Sequence, residues 1–281
     1  MSRMVDRCIC CGEIIPEGRQ VCIDCENSPT KIKERKDKMK ITPLASGSSG
    51  NAYLINDGET TILIDAGIPF KKIQIGTGFN VSELNGVLIS HEHKDHCKAV
   101  PELIKNGVDV YALPCVFNAL KVGGHRCHPV IKCSTSGLEA TSWYVNFRLG
   151  SYEITPFDCQ HDVPNLGYYI HSTNTGENLL YFTDSYYVKH TFPNLNYILA
   201  EANYSSEVVK ANINSGRIPE VMKRRLLQSH MSIDNLLDLL KANDLSKLKQ
   251  IYLLHLSSSN SDEAAFKERV QKEVGCEVYV C

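Results

Sequence analysis

The run Ser90-His91-Glu92-His93-Lys94-Asp95-His96-Cys97 sets three histidines and an aspartate within six residues. Imidazole nitrogens and carboxylate oxygens are the usual ligands of Zn²⁺ and related divalent ions. The spacing is not that of a helical HExxH pair, because the position four after His91 is Asp95. An apolar strand-like run, Gly86-Val87-Leu88-Ile89, precedes the cluster and a helical pattern follows it. The cluster is therefore expected in a strand-to-helix loop, where ligands can converge. There His91 and His93 can face one metal while Asp95 and His96 face a second.

A second set of candidate ligands stands at the N-terminus. Cys8-x-x-Cys11 and Cys22-x-x-Cys25 are separated by ten residues that include Gly12, Pro16 and Gly18. Each CxxC turn aims two thiolates at one point, and two such turns complete a tetrahedral structural Zn²⁺ site. A segment this short holds a fold through its metal rather than through core burial. Cys10 lies between the ligands as a bystander. Residues 1–30 are thus expected to form a zinc knuckle with four cysteine ligands. Residues 31–40 follow as a charged linker with six basic and two acidic side chains. That linker reads as a solvated helix face or, more sharply, as a nucleic-acid contact.

From residue 41 to 281 short apolar runs alternate with helical periodicity. Strand-like runs are Ala52–Asn56, Thr61–Asp65, Gly86–Ser90, Val108–Ala112, Tyr152–Pro156, Gly167–His171, Leu179–Thr183, Tyr197–Ala200, Ile251–His255 and Glu277–Val280. Helix-like runs are Lys98–Asn106, Cys115–Val122, Pro219–Leu227, Ser232–Ala242 and Glu263–Val274. Ser232 reads as an N-cap before the apolar face Ile233, Leu236, Leu237 and Leu240. Two strand-rich stretches, each followed by helices, fit a layered α/β sandwich better than a simple βαβ repeat.

The 281 residues carry a net charge of −2, with +2 on residues 1–40 and −4 on the remainder. Long nucleic acid is normally gripped by a basic surface, so the main domain leans toward a small or single-stranded substrate. No apolar stretch approaches the roughly 18 residues of a membrane span. The first residues lack the apolar core of a signal peptide, so a cytoplasmic protein without membrane contact is expected. Twelve cysteines are many for a reducing compartment, which favours metal ligation for the clustered ones. Scattered ones such as Cys115 and Cys276 are expected to be small buried hydrophobes.

His91-x-His93-x-Asp95-His96 resembles the signature of the metallo-β-lactamase superfamily, and Thr61-Ile62-Leu63-Ile64-Asp65-Ala66-Gly67 resembles its strand ending in Asp-x-Gly. The resemblance covers roughly residues 40–281 and implies a four-layered αββα sandwich. It implies further ligands: His161 completing the first metal site, Asp184 bridging the two, and His255 completing the second. The implied cofactors are two Zn²⁺ or Mn²⁺ ions, holding a bridging hydroxide as nucleophile and clamping phosphate oxygens. A bridging aspartate implies phosphodiester or thioester hydrolysis rather than β-lactam hydrolysis.

Finer similarity narrows the branch. Leu44-Ala45-Ser46-Gly47-Ser48-Ser49-Gly50-Asn51-Ala52, Glu201-Ala202-Asn203, and Lys223-Arg224-Arg225 leading to Ser229-His230-Met231-Ser232 resemble the YycJ/WalJ group of exonucleases. They are also similar to tRNase Z and to the phage anti-Pycsar phosphodiesterases that destroy cyclic nucleotide signals. The tRNase Z likeness implies that His230, oriented by Glu201, is the general acid, with Asp95 as a ligand of catalytic importance. The lesser alternative for His230 is a histidine that merely stands beside a helix cap. The Ser46–Asn51 loop, with Ser48, Ser49 and Asn51 as substrate contacts, reads either as a ligand-approach loop or as a tight turn. Lys223, Arg224 and Arg225 face either substrate phosphates or solvent.

The expected activity is hydrolysis of phosphodiester bonds in nucleic acid or in cyclic nucleotides, by a homodimer. A glyoxalase II-like thioester hydrolase is the alternative enzyme, although it leaves Glu201 and His230 without a task. A nucleic-acid adaptor with an inactive hydrolase domain is the third reading, and the complete ligand set argues against it.

Overall fold

The computed structural model describes residues 38–135 and 141–281. The cysteine quartet Cys8, Cys11, Cys22 and Cys25 and most of the charged linker lie outside the described residues. Met39 and Lys40, expected in the linker, belong instead to the compact unit Met39–Cys281. Met39 is buried and its amide donates to the Glu177 carboxylate at 2.7 Å, while Lys40 opens the first strand.

The first sheet comprises β1 (Lys40–Ala45), β2 (Ala52–Asn56), β3 (Thr61–Ile64), β4 (Gly86–Leu88), β5 (Val110–Ala112) and β6 (Cys127–Pro129), in that spatial order. It begins as an antiparallel meander and is parallel from β3 onward. Two further strands, β7 (Lys132–Ser134) and β8 (Ser142–Tyr144), form a separate pair. The second sheet comprises β9 (Phe147–Leu149), β10 (Tyr152–Cys159), β11 (Asn165–Ser172), β12 (Asn178–Phe182), β13 (Tyr197–Glu201), β14 (Gln250–Leu254) and β15 (Glu277–Val280). It is antiparallel up to β12 and parallel from β12 to β15. The helices are α1 (Phe70–Gly76), α2 (Lys94–Cys97), α3 (Val100–Lys105), α4 (Pro114–Leu120), α5 (Ser206–Asn214), α6 (Glu220–Ser229), α7 (Ile233–Lys241) and α8 (Glu263–Val274).

Strand alternation explains how the layers stack. Tyr181, Tyr197, Leu199, Tyr252 and Leu254 of the second sheet share one apolar cluster with Tyr53, Leu63 and Val87 of the first. The intervening residues Leu180, Phe182, Ile198, Ala200, Ile251 and Leu253 point the other way, into a cluster with Ile233, Leu236 and Leu240 of α7 and Phe266 and Val270 of α8. Strands covered on both faces read as continuous apolar runs, which is why these were conspicuous in the sequence. Burying each such Leu, Ile or Phe contributes about 1.5–3 kcal/mol. Ser232 caps α7 by accepting from the Asn235 amide at 3.0 Å, and the apolar stripe at helical spacing anchors it.

Several local expectations are corrected. The predicted helix over Lys98–Asn106 is shorter, Val100–Lys105, and a separate one-turn helix precedes it, since the Ala99 amide donates to Ala66 O at 2.8 Å and Pro101 starts a new turn in α3. Asp95 and His96 consequently sit on the one-turn helix α2, while His91 and His93 remain in the loop before it. Helix α5 escaped the sequence reading because its buried face amounts to Val209 and Asn212. Cys97 and Cys159 are buried as expected, whereas Cys115 and Cys276 are only half-buried.

Candidate metal centre and catalytic cleft

The ligand-type residues gather where strands end. Asp65 follows β3, Ser90 and His91 follow β4, Asp184 follows β12, Glu201 ends β13 and His255 follows β14. Asp65, Asp184 and His255 all have left-handed backbones, with φ of 57°, 48° and 52°. Non-glycine residues in this region cost on the order of 1 kcal/mol or more each and cluster where function demands them. The loop carrying Asp184 is held by Asn165, whose amide donates to the Thr183 and Asp184 carbonyls at 2.8 Å each.

Three donor groups share the Asp184 carboxylate, with ligand atoms within 4.8 Å of one another in each, and one of them is Asp184, Glu201, His230 and His255. Of the other two, His91, His93, His161 and Asp184 form the first, and Asp95, His96, Asp184 and His255 form the second. Asp184 Oδ2 faces both, at 3.7 Å from His91 Nε2, 4.0 Å from His161 Nε2 and 3.5 Å from His96 Nε2. Its other oxygen, Oδ1, accepts from Thr183 Oγ1 at 2.9 Å and from His255 Nδ1 at 2.7 Å.

Three of the imidazoles have one nitrogen held outside and the other turned inward. His96 Nδ1 bonds Asp65 at 2.6 Å, His161 Nδ1 donates to Ser229 O at 3.1 Å, and His91 Nδ1 meets Ser90 Oγ at 3.0 Å. The inward atoms then crowd together, His93 Nδ1 lying 3.0 Å from His91 Nε2 and 3.3 Å from His161 Nε2, and Asn51 Nδ2 reaching His96 Nε2 at 3.1 Å. His255 Nε2 is buried with no hydrogen-bond partner. Lone pairs converging in this way, with one orphaned buried nitrogen, fit divalent cations with outer partners fixing the tautomers.

Electrostatics agree with that fit. Burial holds the imidazoles of His91 and His161 below their ordinary range, which keeps their lone pairs available. Burial also opposes charge on His255, yet Asp184 and Glu201 outweigh it and lift the group to about 10. His96 is raised in the same way, against burial, by Asp184 and Asp65. Burial opposes ionisation of Asp184, but His96 and His255 pull its carboxyl well below the usual range. The centre thus attracts positive charge.

Beside the second group lies a carboxylate–imidazole pair. Glu201, fully buried, accepts from His230 Nδ1 at 2.6 Å and from the amides of Ser185 and Met231 at 3.0 and 3.1 Å. It also stands 3.2 Å from His255 Nδ1. His230 caps the end of α6 and lines a cleft of 340 Å³ with Ser48, Lys94, Asp162 and the metal-site residues. Its Nε2 is the free nitrogen.

The sequence-predicted residues His91, His93, Asp95, His96, His161, Asp184, Glu201, His230 and His255 all meet here. Ser48 lines the cleft and is exposed, as is Ser49, which does not line it. Asn51 is fully buried: its Nδ2 donates to Gly47 O at 3.1 Å and Asp95 O at 3.3 Å, while its Oδ1 accepts from the Gly47 amide at 2.9 Å. It fastens the Ser46–Asn51 loop to α2 rather than facing the cleft. In α6, Arg224 is exposed and outside the cleft lining. Sequence reasoning passed over Asp65 as a site residue, although its Asp-x-Gly context marked the place. Asp65 also accepts from Ser90 N, Ser90 Oγ and Tyr181 OH, at 2.8, 2.9 and 2.5 Å. Gly67 explains the glycine of that motif, because a Cβ there would stand 1.6 Å from Asp95 O. Asp162, 3.0 Å from His161 Nε2, was likewise missed for want of any periodic signal.

Residues 60–256 match the model of the β-lactamase superfamily domain. The chain is 29% identical over 228 residues to the exodeoxyribonuclease YycJ of Bacillus anthracis, covering 78% of this chain and 82% of that protein. It is 28% identical over 232 residues to the exodeoxyribonuclease WalJ of Streptococcus pneumoniae, covering 79% and 83%. The metallo-β-lactamase fold protein YhfI from Bacillus subtilis superposes with a TM-score of 0.62 at 16% identity, over 87% of this chain and 97% of that one. No helix among the described residues is long and apolar enough to cross a membrane. Fold, converging ligands and matched span lead to one assignment: the chain belongs to the β-lactamase superfamily.

Proposed function

We propose that this chain is a metal-dependent phosphodiesterase that cleaves nucleic acid, with two divalent ions shared across Asp184 and His230 as proton donor. The observation that carries the reading is the pairing of two donor groups on one Asp184 oxygen with a Glu201–His230 dyad on the same cleft. Exodeoxyribonuclease relatives over more than three quarters of the chain support nucleic acid as the substrate. An αββα order of layers and a zinc knuckle on Cys8, Cys11, Cys22 and Cys25 belong to the same reading.

Divalent ions at such a centre supply Lewis-acid charge to phosphate oxygens and acidify water. His91, His93 and His161 would hold one, and Asp95, His96 and His255 the other, with Asp184 common to both. The protein's own part is positional. Asp65, Ser229 and Ser90 fix which imidazole nitrogens face inward. Glu201 holds the His230 Nδ1 proton, so Nε2 of the imidazolium is the atom that can give a proton to a departing sugar oxygen. Burial opposes that charge on His230, but the Glu201 carboxylate prevails and raises the group above its ordinary range. A thioester hydrolase leaves this dyad idle, since a thiolate needs less help to depart.

The test is hydrolysis of bis-p-nitrophenyl phosphate, labelled single- and double-stranded DNA, and 3′,5′-cyclic nucleotides by Zn²⁺- or Mn²⁺-loaded protein, with His93→Ala as the blank. Shortening of DNA that depends on His93 is the expected result. Turnover of cyclic nucleotides with inert DNA would replace the nuclease reading, and inert phosphodiesters throughout would remove it.

A further inference from the structure

One feature of the cleft is unused by the metal centre and by the Glu201–His230 dyad. Lys94 is the exposed member of the motif helix, and among the described residues it is the one Lys or Arg that lines the cleft. It makes no ion pair among the described residues, although Asp95, Asp162 and Asp184 line the same cleft. Elsewhere Lys132 pairs with Asp158 at 2.7 Å and Lys272 with Glu268 at 2.7 Å. Ser48 joins Lys94 in the lining. The β1–β2 loop that carries it is stitched to α2, with the Asn51 amide donating to Asp95 O at 2.8 Å. Ser46 Oγ, in the same loop, accepts from the His255 amide at 2.9 Å. Hence the hydroxyl of Ser48 is held beside the second donor group by backbone bonds rather than by its own side chain. Exposed Asp162 stands against the first donor group, 3.0 Å from His161 Nε2 and 3.9 Å from His93 Nε2.

We infer that Lys94 and Ser48 form a subsite for a second phosphate of the substrate, flanking the one cleaved at the metal centre, so that the cleft prefers a nucleotide chain to a lone cyclic mononucleotide. The inference rests on the phosphodiesterase reading above and sharpens it. A free ammonium and a hydroxyl donate to phosphate oxygens without a competing internal acceptor. Asp162 disfavours an anion on its own side, which gives the bound chain a direction. A cyclic mononucleotide, carrying a single phosphate, leaves the subsite unfilled.

The measurement uses metal-loaded full-length protein and two chromogenic esters, thymidine 3′-(p-nitrophenyl phosphate) with and without a 5′-phosphate. We expect kcat/KM to be at least about tenfold higher for the 5′-phosphorylated ester, as a charge-assisted contact implies. In Lys94→Gln that ratio should collapse to within about twofold of one, while Lys94→Arg retains most of it. Calorimetry gives a readout free of turnover: thymidine 3′,5′-bisphosphate should bind more tightly than thymidine 3′-monophosphate in the wild type and equally in Lys94→Gln. A 5′-hydroxyl trinucleotide ester compared with its methylphosphonate counterpart separates an internal flanking phosphate from a terminal one, and a preference for either charged form supports the subsite. Hydrolysis of both thymidine esters at one rate, or a ratio unmoved by Lys94→Gln, overturns the subsite alone. Failure of both esters in active metal-loaded protein overturns the phosphodiesterase reading and the subsite with it.

Discussion

Two buried carboxylates, Asp57 and Asp184, sit at opposite ends of the strands, and their surroundings are opposite in kind. Asp57 closes the β2–β3 turn and is met by donors alone. Ser151 and Ser172 hydroxyls donate to Oδ2 at 2.6 and 2.5 Å, and the Thr60 and Glu59 amides donate to Oδ1 at 2.8 and 3.1 Å. That network ties the first sheet to β10 and β11 of the second and is complete in itself. Asp184 Oδ2 instead faces three imidazole nitrogens, His91, His96 and His161, whose outward nitrogens are already engaged. A donor-rich carboxylate finishes a structure, whereas one among lone pairs asks for a cation. Asp65, Asp184 and His255, at the Asp184 end, also have left-handed backbones.

The comparison can be broken by exchanging its two halves. Asp184→Ala should empty the catalytic centre and lower hydrolysis by on the order of 10³-fold. Metal analysis after gel filtration should show the catalytic ions lost while any metal on Cys8, Cys11, Cys22 and Cys25 stays. If Asp184→Ala keeps its full metal content, the contrast with Asp57 is void.

Next in size is the dyad. His230→Ala should cost about 10²-fold in kcat with metal content intact. The wild-type rate should fall as pH rises through the raised His230 value, because the donor form is lost there. Glu201→Gln removes the carboxylate that holds it up, so this alkaline limb should move to lower pH. An unmoved limb would show that His230 is not the acid.

A smaller effect belongs to Asp65. Asp65→Asn keeps the shape but loses the charge behind His96, and metal affinity should drop by roughly 10- to 100-fold, read by competition with a chromogenic chelator. Unchanged affinity would make Asp65 a purely structural partner.

The smallest effect on activity belongs to Asp57. Asp57→Ala strands two serine hydroxyls and two amides, so urea unfolding should lose about 2 kcal/mol while metal content and turnover per folded molecule stay level. Burial raises the Asp57 carboxyl, but the Ser151 and Ser172 hydrogen bonds outweigh it and hold the group below its ordinary 3.8. A depressed folded value stabilises above the ordinary range, and that contribution fades as pH falls from near 3.8 through the folded value. Asp57→Asn should abolish this part of the acid sensitivity, and an identical acid limb in the variant would refute the assignment.

Much of this was legible in the chain. Continuous apolar runs such as Leu179-Leu180-Tyr181-Phe182 betray strands covered on both faces, and the α7 stripe betrays its helix. Three-residue strands such as β6 to β9 carry too few residues to show a period, and α5 lacks an apolar stripe. The break between Lys94–Cys97 and Val100–Lys105 turned on Ala66, more than thirty residues away, capturing the Ala99 amide.

The sequence itself determined which residues are candidates. His91, His93, Asp95 and His96 stand out by type and local spacing, and His161, Asp184, Glu201, His230 and His255 were implied by the resemblance along matching motifs. Tertiary structure alone decided which nitrogen of each ring faces inward, since Asp65, Ser229 and Glu201 reach their imidazoles across 31, 68 and 29 residues of chain. It also decided that Asn51 is a buried fastener and that Lys94, with no ion pair among the described residues, stands on the cleft wall. Hydrogen-bond direction and burial are properties of neighbours in space, and two sheets had to meet before those neighbours existed.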